Sequence, residues 1–260
     1  MSQRTSYPQG APNWVDLRTT DPEGAKSFYG RLFGWRYDDL QLPEGPVYSM
    51  AVKDDGVVAA ITQQPPDMAA QGAPPAWGTY LAVDDVDAAT SQVEPAGGKV
   101  LMAPFDVMEA GRMAIVTDPT DAVIALWQAH QHIGATRVNE PGAVAWYELM
   151  TDDESAAVAF YQQVVGLTTS TMDLGEGTYT LFTSGADTVA GTTAVPSGVP
   201  NHWHVYFAVE DAAAAVQRVT ELGGTVVNGP MDIPIGVVAM LGDPQGGTFS
   251  IFAANPLPPD

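Results

Sequence analysis

The chain has 260 residues, 45% of them apolar, and 31 acidic against 10 basic side chains give a formal charge of -21. That length can bury a substantial core, and that field argues against nucleic acid and anionic lipid surfaces as partners. Cysteine is absent, which excludes thiol nucleophiles, disulfides and thiolate-bound metals and leaves histidine and carboxylate to carry any metal.

Residues 1 to 8 lack an apolar signal core and no apolar run reaches membrane length, so the expected compartment is the cytoplasm. Residues 13 to 20 read as a strand. Asp21 and Pro22 then supply a cap and a first helical position, Ala25, Phe28, Tyr29 and Leu32 recur at helical spacing, and Gly34 ends the helix. Strands follow near 35 to 41, 46 to 53 and 56 to 63, parted by turns at Pro43-Glu44-Gly45 and Asp54-Asp55-Gly56, which makes a βαβββ unit. After a loop over 64 to 75 the unit recurs: a strand at Trp77, a helix over 85 to 96 ending at Gly97-Gly98, and strands near 99 to 103, 111 to 117 and 122 to 128. Residues 129 to 143 show no period and read as a linker, with His130 and His132 expected in solvent.

Beyond the linker the pattern restarts. Trp14, Leu17, Thr19, Asp21, Ala25, Phe28, Tyr29 and Gly34 return 132 residues later as Trp146, Leu149, Thr151, Asp153, Ala157, Phe160, Tyr161 and Gly166. Trp77, Tyr80, Asp85 and Gly97-Gly98 return as Trp203, Tyr206, Asp211 and Gly223-Gly224, and Asp118-Pro119 as Asp243-Pro244. A weaker shift of 64 in the first half and 58 in the second relates the two units of each half. The fold class predicted is α+β: four βαβββ units paired into two tandem eight-stranded modules, at 1–128 and 144–260. Each module should form a cup with its lining set by the strand period of two.

The richest stretch is 201 to 211, where His202, His204 and Tyr206 alternate with apolar residues and so share one strand face. Phe28-Tyr29 and Phe160-Tyr161 sit at helical spacing and read as packing. No Gly-x-Ser-x-Gly, phosphate-loop or dinucleotide fingerprint occurs, which leaves hydrolase and nucleotide readings without support.

Paired βαβββ units with Asp-x-x-x-Ala-x-x-Phe-Tyr after the first strand and a late Asp-Pro resemble the vicinal oxygen chelate superfamily, which includes glyoxalases, bleomycin-resistance proteins and extradiol dioxygenases. The chain is most similar to two-module glyoxalase-like proteins of actinobacteria labelled antigen or hydroxylase, through Asn-Trp-Val-Asp-Leu-Arg-Thr-Thr-Asp and Pro-Asn-His-Trp-His-Val-Tyr-Phe-Ala-Val. The resemblance implies a metal-ligand position on the first, fifth and eighth strand of each module. These fall on Trp14, Gly78 and Ala125, and on Trp146, His204 and Ser250, sets that supply no adequate ligands. No metal and no other cofactor is therefore expected, although a rearranged His202, His204 and Glu148 set stays open.

The expected site is the second cup, with His204 and Glu148 catalytic and Trp146, His202, Tyr206, Ser250 and Phe252 lining it. Glu148 is expected to orient His204 for proton transfer next to a carbonyl, in a lyase or isomerase of small carbonyl-bearing or aromatic molecules. Sequestration without turnover is the alternative, and two histidines on one strand equally fit a merely polar filling of a half-buried face. In the first cup Trp14, Asp16, Tyr80 and Trp127 are the candidate ligand contacts. The partner expected is a small organic molecule, with the protein a monomer or homodimer.

Overall fold

A computed structural model describes residues 2–42, 45–173 and 177–255. A short strand, β1 (Ser2–Gln3), leads to β2 (Pro12–Thr19), α1 (Pro22–Phe33), β3 (Arg36–Gln41), β4 (Val47–Lys53) and β5 (Gly56–Gln63). The second unit holds β6 (Ala76–Ala82), entered through the short α2 (Pro66–Ala70), then α3 (Val86–Ser91), β7 (Lys99–Val107), β8 (Gly111–Thr117) and β9 (Val123–Ala129). After β10 (Arg137–Val138) the third unit is β11 (Val144–Thr151), α4 (Glu154–Val165), β12 (Thr168–Asp173), β13 (Thr178–Ser184) and β14 (Asp187–Ala194). The fourth is β15 (His202–Ala208), α5 (Ala212–Glu221), β16 (Thr225–Ile233), β17 (Gly236–Gly242) and β18 (Thr248–Ala254).

The repeated aspartate has one local job in all four units. Asp21, Asp85, Asp153 and Asp211 each accept the backbone N–H three residues on, at 3.0, 2.9, 3.0 and 3.0 Å, and so cap their helices. Gly34 and Gly166 end α1 and α4 at φ 76° and 72°, the left-handed region where a side chain is strained. Two details differ from the sequence reading. The loop over 64 to 75 contains α2, and α3 stops at Ser91, short of the glycine pair, because turns replace the last helical residues. Pro43 and Glu44, of the first expected turn, lie outside the described residues.

Each half forms one eight-stranded mixed sheet. The orders are β3-β4-β5-β2-β6-β9-β8-β7 and β12-β13-β14-β11-β15-β18-β17-β16, the same topology twice, with the two units of a half joined by the antiparallel pairs β2–β6 and β11–β15. The pairing expected of the repeat is thus the pairing observed.

The two sheets share one core between their convex faces. Phe207 of β15 meets Phe33, Trp35 and Trp77 of the first half with ring centroids 5.0 to 5.6 Å apart. The Phe-Tyr pairs of α1 and α4 reach across: Tyr29 donates its hydroxyl to Asp243 Oδ2 at 2.9 Å, and Tyr161 to Asp118 Oδ2 at 3.1 Å. The other oxygen of each aspartate holds its own turn, Asp118 Oδ1 taking Thr120 and Ala122 N–H, Asp243 Oδ1 taking Gln245 and Gly247 N–H. Trp77 and Trp203 complete the clasps by donating Nε1–H to the tyrosine oxygens at 3.1 and 2.8 Å. With the convex faces joined, both cups open outward.

Candidate functional site

In the second cup the register of β11 against β15 sets Trp146 beside Tyr206, Glu148 beside His204 and Met150 beside His202. The parallel pair β15–β18 adds Ser250 beside Tyr206 and Phe252 two residues on. All the expected lining residues therefore share one concave face. The direct His204–Glu148 contact expected from the sequence is not formed. His204 Nε2 lies 2.8 Å from Ser250 Oγ, while Glu148 takes a phenol on each oxygen, Tyr179 on Oε1 and Tyr206 on Oε2, both at 2.6 Å. The reason is geometric: neighbouring side chains on antiparallel strands stand side by side, and each finds a nearer partner along the sheet. Ser250 is the register partner of Tyr206, so His204, Ser250, Tyr206 and Glu148 stand in one row along the face.

The electrostatics follow from burial. His204 is 2% exposed. Desolvation, with the neighbouring His202 adding to it, pushes its pKa down to about 3, so the ring is neutral across the physiological range. Burial first, and the Glu148 carboxylate second, push the hydroxyls of Tyr179 and Tyr206 far up, which keeps both as donors. His202 stands half-buried nearer the mouth, its Nδ1 2.8 Å from Pro200 O and its ring 5.7 Å from that of His204. Trp146, Tyr206 and Phe252 are half-buried too, so the aromatic wall is reachable from solvent.

The first cup repeats this frame with different contents. Trp14 Nε1–H donates to Tyr48 at 2.8 Å, as Trp146 does to Tyr179 at 3.1 Å, and Tyr48 and Tyr80 both donate to Asp16 Oδ2, at 3.2 and 2.5 Å. Part of the segment 129 to 143 lies over this cup. His132, expected in solvent, packs edge-on against Trp14 with centroids 4.5 Å apart, and Trp127 Nε1–H donates to its carbonyl oxygen at 2.8 Å. Desolvation brings the His132 imidazole down to about 4. The cause is backbone pairing: Ala135 N–H bonds Asn13 O, Thr136 N–H bonds Val57 O, and β10 pairs with β1, which fastens the segment across the sheet. Only His130 of this His-x-His is exposed. A hollow of about 430 Å³ bounded by Leu40, Met108, Glu109 and His132 lies at the lip of this cup.

Tyr48 and Tyr179 are the site residues that the sequence reading missed. The signal was present, since Glu-Gly precedes each within a few residues and the shift relating the tyrosines is 131 where the surrounding shift is 132. A one-residue slip in the turn hid the correspondence.

The first half matches the glyoxalase/bleomycin resistance protein/dioxygenase superfamily over residues 11–126, and the second matches the glyoxalase-like domain over 148–252. The chain is 52% identical over 260 residues to "Putative glyoxylase CFP32" of Mycobacterium tuberculosis, covering 98% of this chain and 99% of that one. The chain belongs to the glyoxalase/bleomycin resistance protein/dioxygenase superfamily. The anthracycline biosynthesis protein DnrV of Streptomyces peucetius is 39% identical to the chain, over 95% of this chain and 94% of its own. Among solved structures, the Mn(II)-bound glyoxalase from Novosphingobium aromaticivorans aligns with TM-score 0.66 at 16% identity, covering 95% of this chain and 82% of that one. The 2,3-dioxygenase LapB from a Pseudomonas species aligns with TM-score 0.63 at 15% identity, over 97% of this chain and 96% of that one. These two likenesses concern the fold.

A relative in fold with a bound metal raises the question of whether the present donors fit one. They do not. In the second cup Trp146, His204 and Ser250 stand together and offer one good ligand, already engaged with Ser250. The rearranged set fails as well, because both Glu148 oxygens accept tyrosine hydroxyls, and among the described residues no three histidine or carboxylate side chains converge. Among the described residues, no helix is long and apolar enough to cross a membrane.

Proposed function

We propose that the second cup binds a small carbonyl-bearing or aromatic organic molecule and transforms it by metal-independent proton transfer, as a lyase or isomerase. The observation that carries this reading is the row of polar side chains along one side of an aromatic cup, His204 on Ser250 and Tyr206 on Glu148, with Ser250 and Tyr206 adjacent in register. A carbonyl lying against it meets a neutral imidazole that can donate a hydrogen bond to developing oxyanion charge, and hydroxyls that can pass a proton toward the buried carboxylate. Trp146 and Phe252 supply flat apolar surface for the rest of the ligand. The two similar proteins are named "Putative glyoxylase CFP32" and "Anthracycline biosynthesis protein DnrV", names that support a small organic molecule as the ligand. In this reading the protein works in the cytoplasm as a monomer or homodimer, and the cup lies within 144–260.

The test is a screen of small carbonyl compounds, methylglyoxal adducts and aromatic ketones against chelator-treated protein in D2O, followed by NMR. Deuterium uptake next to a carbonyl, or isomerised product, without added metal is expected. Turnover that appears only when a divalent metal is restored would refute the metal-independent part.

One observation favours a second reading, sequestration without turnover. An imidazole with its pKa near 3 is a weak base, and every oxygen of Glu148 is already engaged. Tight binding of a screened compound, recovered chemically unchanged after prolonged incubation, would select it.

A further inference from the structure

A cavity of about 130 Å³ lies where β11 and β14 begin, apart from the polar row of the second cup, with which it shares only Trp146. Val144 and Val189 give it apolar walls, and Ala11 and Pro12 border it from the N-terminal side. Two side chains of opposite charge line it as well, the half-buried Arg4 and the exposed Asp187, and they form no ion pair with each other. Among the described residues the Arg4 guanidinium has no hydrogen-bond or ion-pair partner: it stands 5.8 Å from the centre of the Tyr7 ring, and its Nε is buried and unsatisfied. The Asp187 carboxylate has no partner among them either.

The first half fills the matching place with its own chain. There Ala135 N–H bonds Asn13 O at 2.8 Å, Thr136 N–H bonds Val57 O at 2.9 Å and Val57 N–H bonds Thr136 Oγ1 at 3.0 Å. Glycine is needed beneath this crossing, since a Cβ added at Gly56 would lie 2.6 Å from Thr136 Oγ1 and 2.8 Å from Arg137 Cγ. In the second half the strand register sets Ala145, Thr188 and Asp187 in the places of Asn13, Val57 and Gly56, and all three border the cavity. Among the described residues, none from outside the sheet bonds Ala145 O or the backbone of Thr188. The strand edge is therefore open here, with a carboxylate standing where glycine lets a chain pass in the first half.

We propose that this cavity is a binding site for a free α-amino acid with a small aliphatic side chain, its carboxylate on Arg4, its ammonium on Asp187 and its side chain against Val144 and Val189. A guanidinium only donates and an ionised carboxylate only accepts, so an occupant that satisfies both carries an anionic acceptor and a cationic donor together. An anion alone would meet Asp187 and the formal charge of -21, and a cation alone would meet Arg4. A zwitterion adds no net charge to that field. The volume lies well below the range of roughly 300 to 1,000 Å³ usual for pockets that take larger organic ligands, which keeps the side chain short.

Calorimetric titration of the full chain with L-valine, L-valinamide and N-acetyl-L-valine tests this. Valine should bind, while valinamide, lacking the carboxylate, and N-acetylvaline, lacking the ammonium, should each bind at least about tenfold more weakly. Arg4→Met and Asp187→Asn should each weaken valine binding at least about tenfold, Arg4→Lys should weaken it less, and His204→Ala should leave it unchanged. The backbone bond from Arg4 N–H to Thr136 O, 2.9 Å long, is kept in every variant. If Arg4→Met fails to fold by circular dichroism, the ligand series and Asp187→Asn decide. Absence of valine binding at millimolar concentration, equal affinity for all three ligands, or unaltered valine binding by a folded Arg4→Met or Asp187→Asn, which would mean that water alone fills the cavity, each overturns the proposal. Loss in His204→Ala with retention in both of those variants would also overturn it, by placing the amino acid in the second cup, and would leave the reading of that cup standing.

Discussion

Asp16 and Glu148 stand at the same place in the two cups, yet Asp16 gathers both of its tyrosines on one oxygen while Glu148 gives one oxygen to each. The added methylene of glutamate lets the carboxylate sit between the phenols. Space for this is made by Gly191, the β14 partner of Glu148, where a Cβ would run into the Tyr179 hydroxyl; the matching partner of Asp16 is Ala60. Gly191→Ala should therefore push Tyr179 off Glu148 and destabilise the protein by about 1 to 3 kcal/mol. Urea denaturation of this variant and of Tyr179→Phe should give similar losses, and a neutral Gly191→Ala would contradict the packing described.

The crossed tyrosine–aspartate clasps predict coupling between the halves. Tyr29→Phe leaves Asp243 Oδ2 without its donor and Tyr161→Phe does the same to Asp118, each costing about 1 to 3 kcal/mol. Thermal unfolding followed by near-UV circular dichroism should show a lower midpoint in each single variant, with the transition still single because the aromatic core spans both sheets. Separation into two transitions in the wild type would contradict a shared core.

Acid stability follows from the two buried imidazoles. The folded pKa values of His204 and His132 lie near 3 and 4 against an ordinary 6.5, so between these limits the unfolded chain binds more protons. Their contribution is complete above pH 6.5 and is lost as the pH falls toward the folded values, at about 1.4 kcal/mol for each tenfold difference in proton affinity. Buried Asp118 and Asp243, with carboxyls raised by desolvation, act oppositely: their cost is absent when protonated and grows as the pH rises above the ordinary aspartate range. Chemical denaturation from about pH 7 to about pH 4 should show stability falling, and His204→Gln should flatten that fall. An unchanged slope would mean that His204 is protonated in the fold.

Architecture was legible because it is written four times. The capping aspartates, the terminal glycines and the period-two strands give each unit, and repetition fixes how the units pair. Contents of the cups were less legible. Strand alternation placed Trp146, Glu148, His202, His204 and Tyr206 on one face, but which oxygen meets which hydroxyl depends on side-chain length and on Gly191, contacts that come from several different strands. His132 was misread for a similar reason, since its burial is imposed by β10 pairing with β1 from the far end of the half, a contact without local sequence period. The role of Phe-Tyr in joining the halves was hidden as well: helical spacing marks a buried stripe and says nothing about which sheet it meets.

That the second cup, through His204, is the working site is tested most directly by assaying His204→Ala beside Asp16→Asn, once the carbonyl screen has given an activity or a ligand. With folding checked by circular dichroism, His204→Ala should abolish turnover, or weaken polar ligand binding by about 1 to 3 kcal/mol where no turnover exists, and Asp16→Asn should leave that function nearly intact. Loss in Asp16→Asn with retention in His204→Ala would contradict the account and place the working site in the first cup.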